Sequence, residues 1–220
     1  MPMAQAIIFD LDNCLAPADA AGPELMAPMF AAIRQANRGL LSEATLERAF
    51  KECWRSSLDV VAAMHGFSED MLAAAWHVGR RLEVRGPLEG YSDVPLLATL
   101  PAMLFLVTTG FRRLQASKIA ALDLRDYFVD VQIDAIDEPG RRGKRDIFSS
   151  VLAEYALSAG EVLVVGDNPA SEIEAGNALG LATAQILRPG VDRGVNAGHY
   201  VKGLGDVAAL VRALWRGDTR

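Results

Sequence analysis

The sequence predicts a doubly wound α/β fold, a parallel sheet with helices on both faces, carrying an inserted helical domain. Three features predict it. A continuous apolar run, Ala6-Ile7-Ile8-Phe9, breaks off at Asp10, the pattern of a strand buried on both faces. From about residue 91 onward, short apolar runs alternate with stretches of helical periodicity, which implies right-handed crossovers between parallel strands. Between these regions, residues 17–90 carry helical spacing alone.

Residues 6–9 form the first strand. Residues 25–38, 43–56, 58–65 and 69–84 repeat apolar side chains every three or four positions and read as helices. Ser42 and Ser68 precede two of them as N-caps, and Gly39 and Gly66 follow two of them as stops. The turn Gly86-Pro87-Leu88-Glu89-Gly90 closes the insertion. Strands at 103–107, 128–133, 162–165 and 182–187 then alternate with helices at 112–122, 144–155 and 170–179, and 207–215 is a closing helix. The expected organisation is a core of residues 1–16 and 91–220 with a helical domain at 17–90. Segment Asp134 to Gly143, with Arg141 and Arg142, reads as a solvated loop.

Composition narrows the class of protein. The 220 residues are 51% hydrophobic and 23% charged, enough to bury a core. Acidic residues outnumber basic ones 28 to 22, for a formal charge of −6. The basic residues are scattered, which argues against nucleic acid as a partner. Apolar runs such as 102–107 fall far short of the ~20 residues of a membrane span, so no membrane association is expected. The N-terminal apolar run lacks a basic flank and meets Asp10 and Asp12 at once, which is not a signal peptide. Cys14 and Cys53 supply no disulfide framework and fit a reducing compartment. A cytoplasmic monomer or homodimer is expected.

Ligands of open parallel sheets bind beyond the carboxyl ends of the strands, and those ends carry the chemistry here. The first strand ends in Asp10-Leu11-Asp12-Asn13-Cys14. Two such close carboxylates stay ionised together cheaply only beside a cation, for which a hard divalent metal is suited. Another ends in Val107-Thr108-Thr109-Gly110, which offers hydroxyls and N–H groups at a helix start, a favoured place for phosphate. A third ends in Val165-Gly166-Asp167-Asn168, with Glu172 just beyond. Of the four lysines, Lys51, Lys118, Lys144 and Lys202, only Lys144 begins a helix at this end of the sheet. It is the candidate cation.

This arrangement resembles the haloacid dehalogenase (HAD) superfamily, phosphatase type. Phe9-Asp10-Leu11-Asp12-Asn13-Cys14 looks like its first motif, Leu106-Val107-Thr108-Thr109-Gly110 its second, and Lys144 its lysine. Val165-Gly166-Asp167-Asn168-Pro169-Ala170-Ser171-Glu172 looks like its acidic fourth motif. The likeness spans almost the whole chain and implies a Rossmann-like core with residues 17–90 as a type 1 cap. It implies that Asp10 is a nucleophile forming an aspartyl-phosphate, and that Asp12 protonates the leaving oxygen and then deprotonates water. Thr108, Thr109 and Lys144 would hold the phosphoryl group. Mg²⁺ would be held by Asp10, Asp12 through its backbone carbonyl, and Asp167, with Glu172 ordering its waters. The implied substrate is a small-molecule phosphate ester. A phosphomutase is the enzyme alternative, and a catalytically weak binding or regulatory protein of the same fold is the other.

Three positions depart from the family pattern. Cys14 replaces the usual threonine, exchanging a hydroxyl that helps orient the second aspartate for a weak thiol donor. Glu172 replaces an aspartate, and Arg145 follows Lys144 where proline is common. Polar residues of the insertion, Arg34, Arg38, Lys51, Arg55, His65 and His77, are expected mostly on solvated faces. Trp54 and Trp76 are expected in packing, and His199 in a structural or exposed role.

Overall fold

The computed structural model describes residues 5–215. Met1 to Ala4, on which part of the no-leader expectation rests, and the outer ends of the expected core lie outside the described residues. Among the described residues the sheet has six parallel strands in the order β3-β2-β1-β4-β5-β6. They are β1 (Ala6–Phe9), β2 (Met103–Gly110), β3 (Asp130–Ala135), β4 (Val162–Gly166), β5 (Ala182–Ile186) and β6 (His199–Val201). The strand order reverses between β1 and β4, which creates a crevice at their carboxyl ends. Phe9 lies beside Val165 in register, so Asp10 and Asp167 leave the sheet on either side of that crevice.

Strand alternation divides the core into two layers. Ile7, Phe9, Leu106, Leu163 and Val165 face one way with Ile119, Val207 and Val211, from α5 (Arg112–Ala121) and α8 (Leu204–Trp215). Ala6, Ile8, Phe105, Val107 and Val164 face the other way against Ile147, Phe148, Val151 and Ala175, from α6 (Gly143–Glu154) and α7 (Glu174–Ala178). Burial on both faces explains why β1 and β4 read as unbroken apolar runs.

Between β1 and β2 lie α1 (Ala27–Asn37), α2 (Glu43–Glu52), α3 (Leu58–His65) and α4 (Glu69–Gly79). Their apolar stripes bury Met29, Ile33, Leu46, Val61, Met71 and Ala75 in a cluster of their own. Ser42 accepts from the Thr45 N–H at 3.2 Å and Ser68 from the Met71 N–H at 3.3 Å, the caps expected from sequence. Gly66 ends α3 at φ 70°. At the end of α1 the left-handed cap is Arg38, one residue before the expected glycine. Phe111 and Leu114, at the start of α5, reach out of the core into the insertion's cluster. Gly79 makes room for this contact, since a Cβ there would lie 2.1 Å from the Phe111 ring.

Several bounds differ from expectation for local reasons. Helices α2 and α4 stop before 56 and 84, because Trp54 and Val84 continue the apolar spacing from turns that pack on the same cluster. Strand β3 begins at Asp130, not 128, since Phe128 is buried at the end of a 3₁₀ turn over residues 125–127. The expected helix at 170–179 opens with a π turn at Pro169–Ile173. Strand β6 was not expected at all, because three residues at a sheet edge carry no apolar run. The final helix starts at Leu204, three residues early. Among the described residues no helix is long and apolar enough to cross a membrane.

A buried arginine ties the loop after β1 to the rest of the core. Arg188 donates to the Cys14 carbonyl at 3.0 Å and forms a two-pronged pair with Asp93 at 2.8 and 2.9 Å. Its guanidinium also lies over the Tyr91 ring at 4.2 Å. Asp93 in turn accepts from the Leu204 N–H at the start of α8. Burial alone would raise the Asp93 carboxyl, and Arg188 and that N–H more than reverse this, leaving it lowered. Removing one partner of such a pair strands the other. With Asp93 partly exposed, Asp93→Ala should cost about 2–4 kcal/mol in urea unfolding. Arg188→Met, which leaves no buried cation behind, should cost less. The reverse ranking would show that the pair does not anchor this loop.

Candidate active site

Asp10, Asp167 and Glu172 converge at the crevice, each able to place a carboxylate oxygen within 4.8 Å of the others. Asp10 follows the last residue of β1, and its N–H is held by the Val165 carbonyl at 3.0 Å. Asp167 follows β4, and the π turn carries Glu172 back under that strand. Gly166 permits the approach, because a Cβ there would lie 2.6 to 2.8 Å from the Glu172 side chain. Lys144, in the first turn of α6, donates to Asp10 Oδ1 at 2.7 Å and to Glu172 Oε1. Glu172 Oε2 accepts from the Asn168 N–H at 3.1 Å.

One ammonium does not balance three buried carboxylates. Burial, then the Glu172 charge, pushes the Asp10 carboxyl up to about 7 against the pull of Lys144. Burial, then Glu172 and Asp10, pushes Asp167 up to about 8. Burial would lower Lys144, and its two carboxylate partners more than reverse this, so it is raised.

Asp12 does not join this cluster. Its Oδ1 is held by Lys118 Nζ at 2.7 Å and its Oδ2 by Gln115 Nε2 at 3.0 Å, both from α5. Gln115 also donates to Thr108 Oγ1. Sequence reasoning missed Lys118 because it lies in the second turn of α5, not at a helix start. A Gln-x-x-Lys spacing facing back toward the sheet is the signal that could have found it.

Two other expectations are corrected. The Cys14 thiol does not address Asp12: it is fully buried, donates to the Val165 carbonyl at 3.7 Å and is pushed well up by burial. The Thr109 hydroxyl turns to Asp134 Oδ2 at 3.2 Å and its carbonyl accepts from Gln115 at 3.4 Å, so the hydroxyl that faces the site is that of Thr108.

The insertion closes one wall of the site. Asn13, in the left-handed region at φ 54°, accepts from the Ala18 N–H and donates to Asp167 Oδ2 and to the Trp54 carbonyl, both at 3.3 Å. Asn168 donates to the Arg55 carbonyl at 2.9 Å. The turn after α2 is thus pinned to the ends of both β1 and β4. Arg141, in the exposed loop after β3, pairs with Asp134 of β3 and with Asp59 of α3.

A cavity of about 570 Å³ results, with Asp10, Asp12, Thr108 and Lys144 at its base and Trp54, Arg55 and Ser57 above them. Of the insertion's six expected polar residues, only Arg55 lines it among the described residues. The others make surface pairs: Arg34 with Glu43, Arg38 with Asp70, His65 with Glu52 and His77 with Arg81, while Lys51 is exposed. Trp76 packs edge-on against Phe111, and His199 sits half-buried in β6.

The donor set suits a hard divalent cation. It is all oxygen, buried and in excess of its one ammonium, the condition in which Mg²⁺ replaces protons on carboxylates. Asp10, Asp167 and Glu172 fit that ion. Asp12 offers it no side-chain oxygen while Lys118 and Gln115 hold both.

A protein-family model for haloacid dehalogenase-like hydrolases matches residues 4–180. No curated protein matches significantly in sequence. Solved structures share the fold over nearly their whole lengths. YfnB from Bacillus subtilis, in a structure bound to magnesium, is 21% identical with a TM-score of 0.64, over 95% of this chain and 99% of that one. A HAD phosphatase from Thermococcus onnurineus is 22% identical with a TM-score of 0.61, over 94% and 97%. A 2-haloacid dehalogenase from Pseudomonas syringae is 18% identical with a TM-score of 0.57, over 97% and 100%.

The raised carboxyls set a pH dependence of stability. Both lie above the unfolded value of about 4, so without metal the fold favours their protonated forms. That contribution is complete below about pH 4 and is lost as pH rises through about 7 for Asp10 and about 8 for Asp167. A divalent cation binds the ionised forms and reverses the preference. Mg²⁺ should therefore raise the melting midpoint of chelator-stripped protein more at pH 8.5 than at pH 5. Equal stabilisation at both would contradict this account of the cluster.

Proposed function

The chain belongs to the haloacid dehalogenase-like hydrolase family, and we propose that it is a Mg²⁺-dependent phosphatase of small phosphorylated metabolites acting through an aspartyl-phosphate on Asp10. The observation that carries this reading is the separation of two carboxylates two residues apart. Asp10 sits buried beside Lys144, and Asp12 is held apart by Lys118 and Gln115. On this reading the first attacks and the second moves protons. Halide departure needs neither a proton nor a cluster of cation-binding carboxylates, so the site favours phosphoryl chemistry over dehalogenation.

In the first half-reaction an Asp10 carboxylate oxygen attacks phosphorus in line as the ester P–O bond breaks. The departing oxygen keeps the electron pair and takes a proton from Asp12. Lys144 offsets charge on the phosphoryl oxygens. Thr108, whose oxygen accepts from Gln115, keeps its hydroxyl hydrogen for one of them. In the second half-reaction Asp12 takes a proton from water, whose oxygen attacks phosphorus. The P–O bond to Asp10 then breaks, restoring the carboxylate and releasing inorganic phosphate. Mg²⁺, held by Asp10, Asp167 and Glu172, would supply further positive charge against the phosphoryl group. The insertion, read as a cap, would meet the leaving group through the turn carrying Trp54, Arg55 and Ser57.

Purified protein should hydrolyse 4-nitrophenyl phosphate with Mg²⁺ and stop when EDTA is added. Asp10→Asn should reduce turnover to background. Asp12→Asn should lower it by ~10²–10⁴ while leaving binding of phosphate analogues intact. Wild-type turnover by Asp10→Asn, or after complete chelation, would contradict the mechanism.

A further inference from the structure

Asp12 is held by groups whose arrangement has its own consequence. Lys118 is 7% exposed, and stripping water from an ammonium costs several kcal/mol unless acceptors replace it. Its acceptors among the described residues are Asp12 Oδ1 at 2.7 Å and the Ala18 carbonyl at 3.2 Å. Gln115 is 2% exposed, and its amide reaches the other Asp12 oxygen, the Thr108 hydroxyl and, at 3.4 Å, the Thr109 carbonyl. Both are on α5, three residues apart, so one helix face grips both oxygens of one carboxylate. No other side chain among the described residues holds Asp12. The nearby Cys14 thiol is spent on the Val165 carbonyl.

We propose that Lys118 and Gln115 are positioning residues for proton transfer by Asp12, fixing its carboxylate so that the proton goes to the leaving oxygen and later comes from water. The inference rests on the phosphatase reading. A carboxylate left to rotate would still be present but misaimed, and misplacement by about 1 Å costs ~10²-fold when a reaction depends on alignment. The loss must track how much the leaving oxygen needs a proton. 4-Nitrophenolate leaves without one, whereas phenolate needs it.

The test compares kcat/KM on 4-nitrophenyl phosphate and phenyl phosphate, two esters of similar shape, because kcat/KM reports only steps up to departure of the leaving group. Lys118→Met should lower it by ~10²-fold on phenyl phosphate and by less than about 5-fold on 4-nitrophenyl phosphate. Lys118→Arg, which restores a cation, should recover part of the loss. If Lys118→Met does not fold, Gln115→Met decides, since it removes a grip on Asp12 and strands no charge. Any effect of Gln115 through Thr108 falls equally on both esters, so the ratio isolates Asp12. Equal losses on the two esters, or none, with Asp12→Asn still sensitive to the leaving group, would overturn the inference and leave the phosphatase reading standing. A wild-type protein inactive on both esters would overturn both.

Discussion

Three carboxylates and one ammonium share a buried crevice at the carboxyl ends of β1 and β4, and the unbalanced negative charge governs everything around them. Asp10, Asp167 and Glu172 come from the two central strands and the π turn that follows β4. They are forced together by the sheet, not drawn together by attraction. Lys144 offsets part of the charge on Asp10 and Glu172, and burial, together with the charge that remains, lifts Asp10 and Asp167 far above the usual carboxylate range. On the proposed reading a divalent cation relieves a site strained in this way, and an anionic phosphoryl group enters once that relief is in place. The same crowding keeps the Cys14 thiol protonated, with burial as the main cause, so it stands as a packing residue.

The second lysine gives the two aspartates different partners. Lys144 reaches the crevice from α6 on one side of the sheet, and Lys118 reaches Asp12 from α5 on the other. Neighbouring aspartates in sequence thus have different electrostatic partners in space. On the proposed reading this lets Asp10 keep its charge for attack while Asp12 exchanges a proton. The insertion touches both halves through backbone carbonyls, at Trp54 and Arg55, and through the Arg141 to Asp59 pair. The backbone contacts fall at Asn13 and Asn168, the residues beside Asp12 and Asp167.

Much of this was legible in the chain because strands buried on both faces announce themselves and break off where the chemistry begins. Phe9-Asp10 and Gly166-Asp167 mark the carboxyl ends of β1 and β4 without ambiguity. What could not be read depended on side-chain direction. Thr108 and Thr109 are adjacent and chemically alike, yet alternation along β2 sends one hydroxyl toward Gln115 and the other to Asp134. Lys118 looks like a solvated helix lysine until the pitch of α5 brings it under Asp12. Arg141 sits in a stretch whose composition is that of a loop, and its partners, Asp134 of β3 and Asp59 of α3, are brought to it by the tertiary fold. Strand β6 is too short to leave a pattern, and its pairing with β5 arises from the tertiary fold alone.

The account turns on Asp10 becoming phosphorylated. The direct measurement is an acid quench of the Mg²⁺-loaded protein during turnover of ³²P-labelled acetyl phosphate, followed by borohydride reduction and peptide mass spectrometry. The account predicts acid-stable label on the protein and conversion of Asp10 to homoserine, with neither seen in Asp10→Asn. Turnover without covalent label, or homoserine at Asp12, Asp167 or Glu172 in place of Asp10, would contradict it.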